Sequence, residues 1–192
     1  MNKTVKKTLA GAVCLVSVIV GKVYTDYADA LVISKEGAQS IGDEEGCRRD
    51  PYRCSAHALT YGIGAAVTGG AMIIEGKRYT DDEIAEQYAG DLKKAGDCIM
   101  LYFNGAYMNQ NQIDALGSVI FNLGCGGARY YYSKKEGKWF KTQLYKAALD
   151  KDFVRMCNTF TNYANVNGKP HPAIMKRRIR ERDLCLTPVL TN

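Results

Sequence analysis

EGCRRDPYRCSAHALTYGIG, residues 45–64, carries a carboxylic acid at Glu45, a second ionisable group at Cys54 and a hydroxyl at Thr60. Cleaving a sugar acetal needs an acid to protonate the leaving oxygen. It also needs a partner on the other side of the ring to steady positive charge, hold a water or attack. Glu45 reads as the proton donor, Cys54 as an unusual partner and Thr60 as the holder of the water. A free thiol, with a pKa of about 8.5, is mostly protonated at neutral pH, so Cys54 must be activated or must act differently from a carboxylate. Arg48 and Arg49 are the nearby charges that could favour a thiolate, and the choice among base, electrostatic partner and nucleophile stays open.

Outward from this stretch the pattern is that of an α+β domain, mainly helical. Residues 34–45 read as a helix that stops at Gly46. From Leu59 to Arg78, glycines punctuate short apolar runs, which predicts a small antiparallel β region. Thr80 and Glu83 form a capping box, and Ile84, Tyr88, Leu92 and Ala95 recur on one face of a helix running to about Lys94. NQNQIDALGSVIFNLG places Ile113, Leu116, Gly117, Ile120 and Phe121 on one stripe, as expected of a buried central helix ending at Gly124. Gly117 inside it costs roughly 1 kcal/mol against Ala and predicts a close helix crossing. QLYKAALDKDFVRMCNTF is helical in composition, with Phe153, Met156, Cys157 and Phe160 inward. A closing helix spans IMKRRIRERDLC, where Arg177 and Arg178 precede Glu181 at ion-pair spacing worth a few tenths of a kcal/mol each. His171, between two prolines, reads as an exposed loop residue.

The 192 residues, 46% apolar, are enough for one core of ordinary size, and no Pro-rich or Ser-rich linker divides them. The net charge of +6 is concentrated. Residues 1–30 account for +2 and residues 169–183 for +4, which leaves no broad basic face of the kind that duplex nucleic acid requires. No nucleic-acid partner is therefore expected, and the basic strip at 169–183 reads as a solvated helix face or a mild attraction to an anionic wall polymer. Two widely spaced histidines make no metal cluster, and neither metal nor cofactor is expected.

At the start, Lys3, Lys6 and Lys7 precede TLAGAVCLVSVIVG before Lys22 interrupts. The run is shorter than the ~20 apolar residues that span a bilayer comfortably, and Gly, Ala, Thr and Ser dilute it, so it would sit in a membrane weakly. It reads either as a secretory signal cleaved after Ala30 or as an uncleaved anchor, and either one exports residues 31–192. Seven cysteines, at 14, 47, 54, 98, 125, 157 and 185, fit an oxidising compartment, but the count is odd. With the leader kept, Cys14 can pair with Cys47 and Cys54 stays free. With it removed, full pairing would consume Cys54. The last four cysteines allow three pairings, of which Cys98 with Cys185 and Cys125 with Cys157 is preferred.

The order Glu, eight residues, Cys, five residues, Thr resembles the active-site pattern of the phage lysozymes, or endolysins, most of which have Asp at the second place. The leader with Cys14, the EGCRRDPYRC segment and the later cysteines extend the likeness over nearly the whole chain. They resemble the signal-anchor-release endolysins switched on by thiol-disulfide exchange. The resemblance implies a lysozyme-like fold with its β region in the N-terminal lobe and an N-terminal membrane-anchor helix at 1–30. It implies a monomeric muramidase cutting the β-1,4 bonds of peptidoglycan, tethered to the host inner membrane facing the periplasm and then released there. The implied switch has Cys47 bridged to Cys54 in the inactive form, Cys14 attacking the Cys47 sulfur, and Cys54 leaving as the freed thiol.

Two other readings compete. Cys54 with His57, and His171 as a spare base, could make an exported cysteine peptidase acting on wall peptides, although this leaves Glu45 and Thr60 unexplained. A disulfide-rich wall-binding module without chemistry is the other.

Overall fold

Gly46 adopts a left-handed backbone (φ +70°) and its N–H returns to the Gly42 carbonyl at 2.8 Å, so the helix that begins at Lys35 ends at Glu45 as its glycine predicts. A computed structural model describes residues 13–53, 58–66, 70–166 and 168–189. Its helices are α1 (Val16–Asp26), α2 (Lys35–Glu45), α3 (Asp81–Tyr102), α4 (Gln110–Arg129), α5 (Gln143–Leu149), α6 (Phe153–Asn158) and α7 (Pro172–Leu186). The strands β1 (Arg48–Arg53), β2 (Leu59–Gly62) and β3 (Ala65–Ala66) form one antiparallel sheet in that order. β4 (Tyr130–Ser133) with β5 (Lys138–Lys141), and β6 (Asn165–Val166) with β7 (Lys169–Pro170), form two hairpins. The described chain divides into two units. One holds the residues through Leu31 and Ala38–Asp91, the other Val32–Gly37 and the residues from Leu92 onward.

In the first unit the sheet starts earlier than expected, at Arg48 instead of Leu59. RRDPYR has no apolar alternation and contains Pro51, which lacks a ladder donor. Such a strand is tolerated at a sheet edge, where β1 lies, and the β1–β2 register is irregular between Arg48 and Tyr52. Tyr61 of β2 stacks on Tyr79 with ring centroids 3.8 Å apart, and burial pushes the Tyr61 phenol up to about 12. The capping box at the start of α3 is formed as predicted: Thr80 N–H donates to Glu83 Oε2 at 2.9 Å, and Glu83 N–H to Thr80 Oγ1 at 3.2 Å.

Glu83 also takes the Lys77 ammonium at 2.5 Å. That hydrogen bond, followed by the Thr80 N–H, lowers the Glu83 carboxyl to about 2. Its folded value lies below the unfolded one, so the stability it contributes is complete above the unfolded value of 4.5 and is lost as pH falls through about 2. An NMR titration should give a Glu83 midpoint near 2, and a midpoint near 4.5 would show that the pair does not persist in solution.

In the second unit α4 is buried on every side from Asp114 to Ile120, so its neighbours cover more than the predicted stripe. Gly117 marks a close approach, tightest to Ile33, with Ile99 of α3 also within contact distance at 3.8 Å. A Cβ there would lie 2.8 Å from Ile33 Cδ1. Asp114 holds the same segment, accepting from Ser34 N–H at 2.7 Å and Ser34 Oγ at 2.5 Å. α3 runs past Lys94 to Tyr102 because Gly96 is not a stop: its missing Cβ would meet Val32 Cγ2 at 2.7 Å. α4 bends at Gly124 (φ +71°, ψ 156°) and resumes to Arg129, beyond its predicted end. The predicted helix over 143–160 is two helices, separated at Lys151 (φ +57°), with Asp152 capping the second.

The expected pairing of Cys98 with Cys185 and Cys125 with Cys157 is incorrect. Cys98 joins Cys125, and Cys157 joins Cys185, with Cα atoms 5.9 and 5.6 Å apart. The bend at Gly124 redirects the chain so that Cys125 reaches α3, while Cys157 on α6 faces α7. Each bridge closes a loop of similar length, worth about 3–4 kcal/mol by chain entropy.

Arg177 and Arg178 do not form a solvated strip. Arg178 is fully buried, and Glu181 pairs with Arg177 at 3.0 Å and Arg178 at 2.8 Å. Ser118 donates its hydroxyl to Glu181, and Arg178 reaches Asn122 at 2.9 Å. Such a pair is worth little relative to an apolar replacement, but breaking it strands a buried charge. Glu181→Ala should therefore cost about 3–5 kcal/mol. A thermal melt should show Tm lower by on the order of 10 °C, and an unshifted Tm would refute the arrangement.

Candidate active site

Glu45 is the last residue of α2 and is half-buried. Gly46 turns the chain, and Cys47 leads directly into β1. Thr60 sits on β2 between Tyr52 of β1 and Ala66 of β3. It is 4% exposed, and its hydroxyl donates to the Ala58 carbonyl at 3.2 Å, which leaves the oxygen able to accept from a water. The helix end that carries Glu45 and the sheet that carries Thr60 therefore belong to one unit and one continuous piece of chain. Cys54, one residue after β1, and His57 lie outside the described residues.

The suggestion that Arg48 and Arg49 serve a thiolate at Cys54 meets a competing arrangement. Arg49 is committed to Asp81, at 3.1 Å from Nε and 2.8 Å from Nη2, and also donates to the Val13 carbonyl. The Arg48 guanidinium lies 4.6 Å over the Tyr52 ring.

The pairing that the sequence allows with the leader kept is present; how the helix after Cys14 packs is what sequence reasoning missed. Cys14 is joined to Cys47 by a disulfide, with Cα atoms 5.1 Å apart. Its N–H donates to the Cys47 carbonyl at 3.3 Å, and Val13 bridges Arg48 as a short antiparallel pair. α1 follows, with Ile19, Val20 and Val23 buried and Lys22 paired with Asp82 at 2.5 Å. Gly42 in α2 makes room for it: a Cβ there would stand 2.5 Å from Val16 Cγ1. Burying three such side chains contributes about 5–8 kcal/mol of apolar transfer before ordering entropy. Among the described residues no helix is long and apolar enough to cross a membrane.

His171 accepts the Ile174 N–H on Nδ1 at 3.4 Å and so caps α7; it is exposed as expected, with a structural duty. Among the described residues no group of three or more His, Cys, Asp or Glu side chains could hold a metal ion.

A carboxylic acid at a helix end, a buried threonine on the small sheet of the same unit and a second, largely helical unit fit the lysozyme-type glycosidase that the Glu–Cys–Thr spacing resembles. The model of the phage lysozyme family matches residues 42–181, and the chain belongs to that family. It is 39% identical over 189 residues to a SAR-endolysin of Escherichia phage P1, covering 94% of this chain and 96% of that one. With a SAR-endolysin of Haemophilus phage HP1 it shares 38% identity over 154 residues, 80% of this chain and 81% of the relative. The crystal structure of the active form of the P1 phage endolysin Lyz superposes with a TM-score of 0.82 at 36% identity, covering 91% of this chain and 95% of that chain. The secreted inactive form of the same endolysin gives 0.59 at 39% identity, covering 80% and 95%. The enzyme is a phage endolysin of the lysozyme class.

Proposed function

We propose that this endolysin hydrolyses the β-1,4 bond between N-acetylmuramic acid and N-acetylglucosamine, with Glu45 as proton donor and Thr60 holding the water. Cys54, once free, acts as the partner to the acid. The enzyme is exported with residues 1–30 as a weak membrane anchor facing the periplasm, and is then released as a monomer. While tethered, Cys47 is bridged to Cys54. On release the Cys14 thiolate attacks the Cys47 sulfur, a Cys14–Cys47 bond forms, the Cys47–Cys54 bond breaks, and Cys54 leaves as a thiolate. One disulfide is exchanged for another, so no outside oxidant or reductant is needed.

The observation that carries this reading is the Cys14–Cys47 disulfide. It is supported by the seating of the leader beside it and by the higher TM-score to the active than to the secreted inactive form of the P1 endolysin. The exposed apolar side chains at the start of α1 and just before it agree as well. Leu15 is 67% and Val18 45% exposed, surface that water disfavours but that suits a segment which must also lie in lipid.

Product analysis tests the function. New reducing ends released from peptidoglycan mean glycosidase action, whereas new amino groups would mean a peptidase. Non-reducing peptide mapping of membrane-bound and released protein tests the switch: Cys47 should be found with Cys54 in the first and with Cys14 in the second.

A further inference from the structure

The β4–β5 hairpin carries an aromatic and basic surface that catalysis by Glu45 does not use. Tyr132 pairs across the strands with Trp139, and Tyr130 with Lys141, so these four side chains share one face. Trp139 is 67% exposed and Tyr132 49%, and their rings meet edge to face at 5.5 Å. Beneath them Gly126 and Gly127, after the bend in α4, form a floor without side chains. With Tyr130 and Trp139 they line an open, almost wholly apolar cavity of about 770 Å³. A Cβ at Gly126 would meet nothing within 4 Å, so the floor is open to a ligand. Residues 130–141 hold four lysines and one glutamate, and Lys134, Lys135 and Lys141 are exposed.

The placement of charge decides the occupant. The turn reads SKKEGK, and a turn so charged would have to enter the lipid first if the hairpin were a membrane wedge, at high desolvation cost. The aromatic rings instead lie along the strands with the lysines around them. That arrangement fits an extended polymer with flat apolar faces and regularly spaced anionic groups. Peptidoglycan is such a polymer, since pyranose rings present C–H faces to the negative faces of aromatic rings and stem peptides carry carboxylates.

We infer that the hairpin face of Tyr130, Tyr132 and Trp139 over Gly126 and Gly127 binds the peptidoglycan strand. A saccharide ring stacks on Trp139, and Lys134, Lys135 and Lys141 meet stem-peptide carboxylates. The inference rests on the reading that peptidoglycan is the substrate, and it adds a binding surface in the second unit, whereas Glu45 and Thr60 belong to the first.

The test is co-sedimentation of full-length Glu45→Gln protein with purified sacculi, with peptide-stripped glycan, and with phosphatidylglycerol vesicles. Adding Trp139→Ala should weaken binding to both wall preparations about tenfold, as removal of a central aromatic anchor does. Trp139→Phe should restore most of it. Changing Lys134, Lys135 and Lys141 to Gln should weaken binding to intact sacculi more than to stripped glycan, and added salt should do the same. Unchanged sedimentation of the folded Trp139→Ala protein, with Tm as the fold check, overturns the inference. A loss confined to the vesicles also overturns it, because the partner would then be a lipid surface. Failure of the underlying function is read separately, as absence of reducing ends from the parent enzyme.

Discussion

Glu45→Gln is expected to lower the release of reducing ends from peptidoglycan by about 10²–10⁴-fold, the usual contribution of a positioned general acid. The amide keeps the shape and most hydrogen bonds of the carboxyl group but has no proton to transfer to the leaving oxygen. At 1.36 kcal/mol per decade this amounts to roughly 3–5 kcal/mol of transition-state stabilisation. Glu45 sits at the end of α2, half-buried, where the change should leave the core of the unit intact. An unaltered Tm with loss of turnover is therefore the expected pair of results. A folded variant that retains most of the parent rate would remove Glu45 from the role of acid.

Cys14→Ser is expected to leave a folded enzyme with Cys54 still bridged and with activity reduced on the order of a hundredfold or more, as when an essential group is blocked. The serine hydroxyl cannot attack a disulfide, so the exchange has no nucleophile. Pairing Cys14→Ser with Cys54→Asp should restore lysis, since a carboxylate opposite Glu45 needs no unmasking. An inactive but folded double variant would show that the thiol does something a carboxylate cannot. Gly42→Val attacks the same step from the docking side. Its side chain would occupy the space taken by Val16, so α1 could not seat and Cys14 would not be presented to Cys47. Val is a better helix former than Gly by a few tenths of a kcal/mol, so α2 itself is not weakened, and slow activation with a nearly normal melt would trace to lost docking. Activation at the parent rate would show that docking does not guide the exchange.

Much of the local structure was legible in the chain. Gly46 after Glu45, the Thr80–Glu83 box and the stripe Ile84, Tyr88, Leu92, Ala95 are signals written over a few residues, and each appears as expected. The elements that were missed lack such signals. β1 is hidden by its charges and by Pro51, and the β4–β5 hairpin lacks the alternation of a half-buried strand because most of its side chains are exposed on both faces. Gly96 and Gly117 look alike as helix interruptions in the sequence. Only their neighbours, Val32 and Ile33, reveal that each is a site of close packing.

The expected roles of Glu45, Cys54 and Thr60, and the expectation of a weakly apolar leader, were readable from the amino-acid sequence alone. Those are short-range properties, carried by residue type and period. Which cysteine meets which, the burial of Arg178 and Glu181 under α4, and the seating of Val16 over Gly42 were decided by tertiary structure. They depend on which surfaces exclude water together across tens of residues, and no local pattern specifies that choice.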